Sequence, residues 1–434
     1  MTGVTEGRVF CRAMDTRRRV RDQVKMGYEI RPVDEERFAD FLEAAETAFG
    51  EESSEEGARR LRAVTDLDRT VTAFDGGDIV GTNSSFAFSM TVPGGELPTA
   101  GVTIVGVLPT HRRRGILRAM MRYQLEDLRR RGEPLAILWA SESSIYQRFG
   151  YGTAARMAYI NILKERAMFL DPTPAAGQVN LLSLEEALRA IPPIYDRVRA
   201  TTPGMYRRDE TWWREHSLYD HKDRRHGMSP MYRAVWTHEG RAQAYATYRM
   251  KNDWDDDAGS PTGYVRVNEI HATSPLALRE MWRFIFGIDL VVRIKSFGRP
   301  MDDPLFFMLA EPRRLQTQVE DGLWLRVVDA KAALEGRTYA ADGSVSFLLR
   351  DDFCPWNEGR YTLEVKSGEG RLTEAAGEID LELSARDLGA IYLGGTPLTA
   401  LVGAGRVVEH TSGAARKADL LFHSDVTPRC TEEF

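Results

Sequence analysis

Residues 102–117, Val-Thr-Ile-Val-Gly-Val-Leu-Pro-Thr-His-Arg-Arg-Arg-Gly-Ile-Leu, combine the residue types that could hold an anion. An apolar run ends in Val105, Gly106 and Val107. Pro109, Thr110 and His111 form a turn, and Arg112, Arg113, Arg114 and Gly115 then open a helical pattern. The first turn of a helix offers unpaired N–H groups and the positive end of its dipole, which suit a pyrophosphate. Gly115 lets the backbone come close, and the arginines add charge-assisted hydrogen bonds to phosphate oxygens. The same residues also fit a solvated basic helix start, although the dipole mildly disfavours arginine there. A second stretch, "IYQRFGYG", carries Tyr146, Phe149 and Tyr151. These aromatics either pack a helix on a sheet or place a phenol for acid–base work.

Such residues need a strand–helix–strand crossover to hold them. Asp34 caps a helix in which Phe38, Phe41, Leu42 and Ala45 recur at helical spacing. Residues 68–74 read as a strand, Gly76-Gly77 as a turn and residues 79–90 as the returning strand. Residues 99–107 form the strand before the arginines, 115–131 the helix after them, and 135–140 a short buried strand. Antiparallel strands followed by a crossover define an α+β (mixed α/β) layer fold with a mixed sheet.

A break rich in Pro, Gly and Ala at residues 170–178 opens a second α/β unit that runs to about residue 309. Residues 181–198 and 208–215 read as helical, and 231–236, 242–250, 264–271 and 290–294 as strands. Ser274 caps a helix with Pro275 at its first position. The order repeats that of the first unit, but "HATSPLALREMWRF" has no glycine and no arginine cluster, and Pro275 lacks an N–H. The second unit is therefore expected to be a decayed copy that has lost its ligand site. Residues 323–328, 345–349, 361–365 and 379–383 are expected strands of a smaller α+β domain, with helices from Ser384 and over 398–402. The expected division is a flexible N-terminal extension over residues 1–27, with an over-long start ahead of Met26, then domains at 28–170, 171–311 and 312–434.

Composition sets the limits. The 434 residues are 43% hydrophobic and 28% charged, so large cores can be buried. A net charge of −6 points neither to nucleic acid nor to an anionic membrane. Cys11, Cys354 and Cys430 are too few and too far apart for a disulfide framework or a thiolate metal site, and a reducing cytoplasm fits. No apolar run reaches the ~18 residues of a membrane helix.

At this point the chain resembles the enhanced intracellular survival (Eis) type of the GCN5-related (GNAT) acetyltransferases. "VTIVGVLPTHRRRGILRAMM" is similar to the family's acetyl-CoA strand, loop and helix, and "ILWASESSIYQRFGYG" to its next strand and the helix with its catalytic tyrosine. One departure is visible: the superfamily's last small loop residue is Leu117 here. The resemblance implies two tandem GNAT-like domains, the second degenerate, followed by a sterol-carrier-protein-like domain. It implies that Val105, Gly106 and Val107 meet the acetyl-pantetheine arm, with the Val107 N–H on the thioester carbonyl. Arg113, Arg114, Gly115, Ile116, Leu117 and Arg118 would wrap the pyrophosphate, and Ser141 and Glu142 would flank the cofactor. Tyr146 matches the general acid, and Phe434, at the end of "TEEF", the residue whose carboxylate enters the active site. Glu433 would add negative charge. The implied reaction is acetyl-CoA-dependent N-acetylation of a polycationic amine such as an aminoglycoside, by direct transfer in a ternary complex, in a hexamer without metal.

Alternatives remain at this level. The acceptor could be a peptide lysine or one natural product, or the C-terminal domain could bind lipid while the transferase site idles. His216, His221 and His226, five apart, fall on different helix faces and do not suggest a metal site. The acidic run at residues 253–257 reads as a solvated hairpin tip, and Gly403-Ala404-Gly405 lacks the third glycine of a dinucleotide site.

Overall fold

The computed structural model describes residues 27–222 and 225–434. The expected extension and over-long start lie almost wholly outside the described residues. The chain folds as two units: residues up to Phe86 together with Val102–Arg131, and Ala87–Gly101 together with Gly132–Phe434.

The first unit begins with β1 (Glu29–Arg31), α1 (Phe38–Phe49) and α2 (Glu55–Val64). Asp34 caps a short 3-10 turn that leads into α1 by accepting from the Arg37 N–H. Phe38, Phe41, Leu42 and Ala45 are the buried stripe of α1, and Gly50, left-handed at φ 71°, ends it. Ser54 caps α2. The strand expected from residue 68 starts later. Asp66 accepts from the Asp68 N–H and winds Leu67–Arg69 into a 3-10 turn, so β2 is Thr72–Asp75. β3 (Asp78–Val92) and β4 (Gly95–Val107) follow, and α3 (Ile116–Arg131) buries Ile116 and Met120 against Ile30, Val71, Ala73 and Val80. The buried Asn83 and Gln124 satisfy each other through paired amide hydrogen bonds of 3.1 and 2.8 Å.

The second unit continues with β5 (Leu135–Trp139), α4 (Ser143–Tyr146), the two-residue β6 (Gly152–Thr153) and β7 (Arg156–Leu163). β8 (Gln178–Leu181), α5 (Leu184–Ala190) and α6 (Pro192–Arg199) come next. The single helix expected over 181–198 is split because Pro192 and Pro193 have no N–H to continue α5. β9 (Tyr232–His238) and β10 (Arg241–Lys251) form a hairpin, and β11 (Trp254–Asp255) and β12 (Ser260–Pro261) bracket the acidic tip. β13 (Tyr264–Ala272), α7 (Pro275–Gly287) and β14 (Arg293–Arg299) are the crossover, with Ser274 accepting from the Ala277 N–H as the cap. β14 starts later than expected because Leu290 is left-handed at φ 60°.

β15 (Gln318–Asp321) and β16 (Leu323–Val327), both expected in the third domain, join the sheets of the other two. β7 pairs with β14 and β15 in a sheet ordered β15-β7-β14-β13-β10-β9-β8. β16 instead lies antiparallel between β5 and β6. Sheet membership thus crosses the expected 170/171 and 311/312 boundaries. All five residues of β16 are buried, and a strand covered on both faces belongs inside a sheet.

The remaining chain builds a third sheet from β17 (Gly343–Arg350), β18 (Gly359–Lys366), β19 (Glu369–Glu374), β20 (Leu381–Ser384) and β21 (Val408–Glu409). α8 (Ala385–Ile391) follows β20 with the capping box of Ser384 and Asp387, and α9 (Ala414–Phe422) comes last. β19 and α9 were not expected. α8 lies against the backbones of β6 and β16. A Cβ at Gly152 would stand 1.9 Å from the Arg386 carbonyl oxygen, and one at Gly389 2.2 Å from that of Leu325. Among the described residues no helix is long and apolar enough to cross a membrane.

Backbone cannot yield as a flexible side chain can, so Gly152→Ala should lower the unfolding free energy by about 3 kcal/mol. Gly403→Ala, where a Cβ meets nothing within 4 Å, should leave it unchanged or slightly higher. The urea midpoints of the two variants provide the check.

Candidate active site

In the first unit β4 is bent by a residue that dislikes its conformation. Ile104 is left-handed at φ 54°, costly for a β-branched side chain, and its carbonyl accepts from Thr82 Oγ1 at 3.0 Å. Val105, Gly106 and Val107, which follow it, are half-buried. A Cβ at Gly106 would meet the Ala48 Cβ at 2.8 Å, so glycine is what lets α1 lie against the strand. Arg112 is a brace: its Nε donates to the Val107 carbonyl at 3.1 Å and its Nη2 to the Ala48 carbonyl at 2.9 Å. Arg113 (φ 63°) and Gly115 (φ 85°) are left-handed on either side of Arg114. Alternating handedness turns successive N–H groups toward one side, the geometry of an anion nest. Arg113, Arg114, Gly115 and Arg118 are exposed and Leu117 is half-buried. The Ile116 side chain is core, so only its backbone faces outward chemistry.

The other expected site residues lie in the second unit. Ser141 and Glu142 are exposed just beyond β5, and the Glu142 carbonyl accepts from the Ile145 N–H. Ser143 Oγ donates to Asp321 at 2.9 Å, and Trp324 Nε1 donates to the same carboxylate at 2.7 Å. Tyr146 is 5% exposed and meets Tyr151 edge to face at 5.9 Å. Burial pushes its phenol up to about 12.

The last six residues thread through the same unit. The Arg429 N–H donates to the Pro203 carbonyl, and Thr431 Oγ1 donates to Glu269 at 2.8 Å. The Glu432 carboxylate accepts from Tyr206 Oη and Trp212 Nε1, both at 2.8 Å, pairs with Arg208 Nε at 3.0 Å and lies 3.3 Å from His216 Nδ1. Its carbonyl accepts from Trp139 Nε1 at the end of β5. Arg208 also forks onto Glu269 at 2.8 and 3.1 Å. Phe434 presents its ring edge-on to Phe88 at 5.2 Å and Tyr206 at 5.6 Å. A Cβ at Gly101 would enter the Phe88 ring and come within 3.1 Å of Phe434, so that glycine keeps the slot open.

Charge fixes this thread. Burial would raise the Glu432 carboxyl, but Arg208 and His216 outweigh it and hold the pKa at about 2. Burial opposes ionisation of Glu269 too, and Arg208 and His271 win there as well, leaving it well below the usual range. His271 is driven down to about 4 by burial, against the pull of Glu269. Sequence reasoning missed Arg208, Glu269, His271 and Glu432. Buried charge has no local signature, and the partners of Glu432 lie more than two hundred positions away. Glycine in a strand, as at Gly101, was the one readable hint. Among the described residues no group of three or more His, Cys, Asp or Glu side chains is placed to hold a metal ion.

Comparison with known proteins gives three family matches: an acetyltransferase (GNAT) domain over residues 29–154, a second acetyltransferase (GNAT) domain over 204–327 and a sterol carrier protein domain over 330–431. The chain is 41% identical over 387 residues to an N-acetyltransferase of Streptomyces avermitilis, covering 88% of this chain and 93% of that one. It is 33% identical over 405 residues to N-acetyltransferase Eis of Mycobacterium tuberculosis, covering 91% and 96%. The crystal structure of Eis1 from Mycobacterium abscessus superposes with a TM-score of 0.80 at 34% identity, over 94% of this chain and 100% of that one.

The pKa directions fix the sign of the acid response. Glu269, Glu432 and His271 all bind protons more weakly in the folded chain than in the unfolded one, with unfolded values near ~4.3 and ~6.5. Stability should be flat above about pH 6.5 and fall first through the His271 window down to about pH 4. Melting temperatures between pH 8 and 4 should show this, and His271→Gln should flatten the 6.5-to-4 segment. Glu432→Ala leaves Arg208 short of a counter-charge and should cost ~3–5 kcal/mol. It should also open the last residues to carboxypeptidase, which the native chain resists.

Proposed function

This chain belongs to the Eis family of GNAT N-acetyltransferases, and from that premise we propose that it transfers acetyl from acetyl-CoA directly to an amine of a polycationic acceptor, such as an aminoglycoside. The observation that carries the reading is the nest at Arg113–Gly115 at the start of α3, preceded by the strand end that follows the left-handed Ile104. These residues fit the cosubstrate. The left-handed Gly115 leaves backbone N–H groups uncovered, and Arg113, Arg114 and Arg118 are exposed cations within one helical turn of it. The N–H groups of Gly115, Ile116 and Leu117 would take the pyrophosphate. Val105, Gly106 and Val107 would take the acetyl-pantetheine arm, with the Val107 N–H on the thioester carbonyl, where negative charge develops. Ser141 and Glu142 would border the cosubstrate.

When bound, acetyl-CoA supplies an activated acetyl thioester. Tyr146 serves the departing sulfur. Its phenol stays protonated at any working pH, since burial holds it near 12. Complete transfer to a thiolate of conjugate pKa ~8.5 would be uphill by roughly 5 kcal/mol. Tyr146 therefore acts chiefly through a strong hydrogen bond to sulfur, and a proton it hands to the thiolate is replaced by the one the amine loses, so that one proton leaves nitrogen, one reaches sulfur and the phenol is restored. Phe434 supplies the carboxylate that receives that amine proton, through water, and the anchored thread of residues 429–433 holds it in place. Glu433 would add negative charge for a cationic acceptor: partial burial, opposed by Arg266 and helped by Glu320, holds its carboxyl above the usual range, and a nearby ammonium would favour the ionised form. Cytoplasmic residence and a hexamer complete the reading. Met168, Leu170 and Phe307, apolar and exposed, offer a face for assembly. Domain limits of 28–170, 171–311 and 312–434 are kept, amended for the exchange of β7 and β16.

Tyr146→Phe should lower kcat by ~10²–10⁴ with KM for acetyl-CoA within about threefold. The native pH–rate profile should rise with amine deprotonation and show no alkaline fall below pH 10. Gly115→Val should act mainly on acetyl-CoA binding. A chain extended past Phe434 should lose most of its activity; equal activity would remove the carboxylate from the mechanism. Release of CoA in a panel of aminoglycosides, lysine peptides and simple amines identifies the acceptor, and absence of turnover with any polycation overturns the reading.

A further inference from the structure

The second GNAT domain was expected to have lost its ligand site, because the β13–α7 junction lacks both a glycine and an arginine cluster. The fold brings arginines to that junction from elsewhere. A cleft of about 550 Å³ beside it is lined by Arg197 from α6, Arg241 at the start of β10 and Arg429 from the C-terminal thread, with Thr201, Gln243 and Thr273 between them. The volume is in the ~300–1,000 Å³ range of small-molecule sites. Among the described residues that line it there is no aspartate or glutamate.

The arginines differ in how far they are already used. Arg197 donates from Nε to the Pro193 carbonyl and from Nη2 to the Ala242 carbonyl, which fixes its guanidinium at the rim. The side chains of Arg241 and Arg429 have no hydrogen bond or ion pair among the described residues. Arg429 is half-buried, and burial together with the neighbouring Arg299 lowers it to about 10, against the weaker pull of Asp303 and Asp302, neither of which lines the cleft. Elsewhere in this unit buried arginines have partners: Arg208 pairs with Glu269 and Glu432, Arg326 with Asp351 and Arg299 with Asp303, while Arg337 donates to the Thr338, Tyr392 and Phe422 carbonyls. Three arginines lining one cleft with hydroxyls and an amide, and with no carboxylate in the lining, are complementary to a multiply charged anion. One phosphoryl group carries ~1.5–2 negative charges near neutral pH, so two of them balance three guanidinia. Planar forks also match phosphate oxygens bidentately.

We propose that this cleft is a second ligand site, separate from the acetyl-CoA nest, that binds a small molecule carrying a diphosphate group. The proposal goes beyond the transferase reading and does not depend on it. The geometry assigns Arg241 and Arg429 to the phosphoryl oxygens, Arg197 to the rim, and Thr201, Gln243 and Thr273 to neutral hydrogen bonds.

Calorimetric titration of the full chain with inorganic pyrophosphate tests it, using native protein, Arg241→Ala and Gly115→Val. Arg241 is exposed and has no partner to lose, so its replacement should leave the melting temperature unchanged. The native chain should bind two equivalents. Arg241→Ala should weaken one of them at least tenfold and keep the other, and Gly115→Val should do the reverse. A parallel titration with ADP separates a nucleotide-borne diphosphate from the inorganic one, and tight binding of either at the Arg241-dependent site supports the proposal. Native protein that binds no pyrophosphate, or whose binding is identical in Arg241→Ala, overturns it. If binding is lost only in Gly115→Val, the second site fails and the acetyl-CoA reading stands. If it is lost only in Arg241→Ala, the second site stands and the nest is in doubt.

Discussion

One guanidinium between two carboxylates, Arg208 with Glu269 and Glu432, organises the end of this chain. Taking ions out of water costs several kcal/mol each even after relaxation. The arrangement persists because the remaining lone pairs are used. Glu269 accepts from Tyr245 and Thr431, and Glu432 from Tyr206 and Trp212. Arg208 lies over the Tyr195 ring at 4.0 Å. Apolar packing of the same volume could give as much stability. It would not give direction, because hydrophobic contact is non-directional. A charged fork and two directed hydrogen bonds specify where residue 432 must sit, and through it where residue 434 ends.

That requirement explains several glycines together. A thread of backbone laid over strands and aromatic rings needs space that side chains would fill. Gly101 leaves room for Phe88 and Phe434, and Gly204 lets the Arg429 carbonyl approach. Gly152 and Gly389 do the same where α8 meets β6 and β16. Because β16 is wedged between β5 and β6, the segment leading into the sterol-carrier-like part is also a structural strand of the sheet that carries the β5–α4 connection and Tyr146. The parts of the second unit are therefore not independent modules joined by linkers.

The legibility of all this in the sequence follows the range of the interactions. Local rules read well. Asp34, Ser274 and Ser384 were visible as helix starts because a cap and its target are three residues apart. The crossover before α3 was visible because apolar run, turn, arginines and glycine are contiguous. The roles of neighbouring arginines were not: Arg112 braces Val107 and Ala48, whereas Arg113 takes the left-handed turn, and nothing in three identical letters separates them. Strand exchange was hidden for a different reason. The apolar pattern of residues 323–328 announces a buried strand but not which sheet receives it, since pairing partners lie almost two hundred residues back. The charged thread was hidden most deeply, because burial of Glu432 is decided by residues 206, 208, 212 and 216 together.

The same limit bears on what "degenerate" means for the second GNAT domain. Sequence compares its β13–α7 junction with the β4–α3 junction and finds no glycine and no arginine cluster, and the backbone agrees: Pro275 removes a donor, and the turn has no left-handed residue at Thr273 or Ser274. Electrostatics is not confined to contiguous residues. The last turn of α6, the start of β10 and the C-terminal thread each contribute one arginine to the same cleft, so cationic side chains are present where the motif is absent. An anion nest made of backbone N–H groups and one made of side-chain forks differ in what they demand. The first needs glycine and tolerates almost any neighbour. The second tolerates proline at the helix start but needs three distant segments held in register, and one of those segments is the thread that Arg208 anchors.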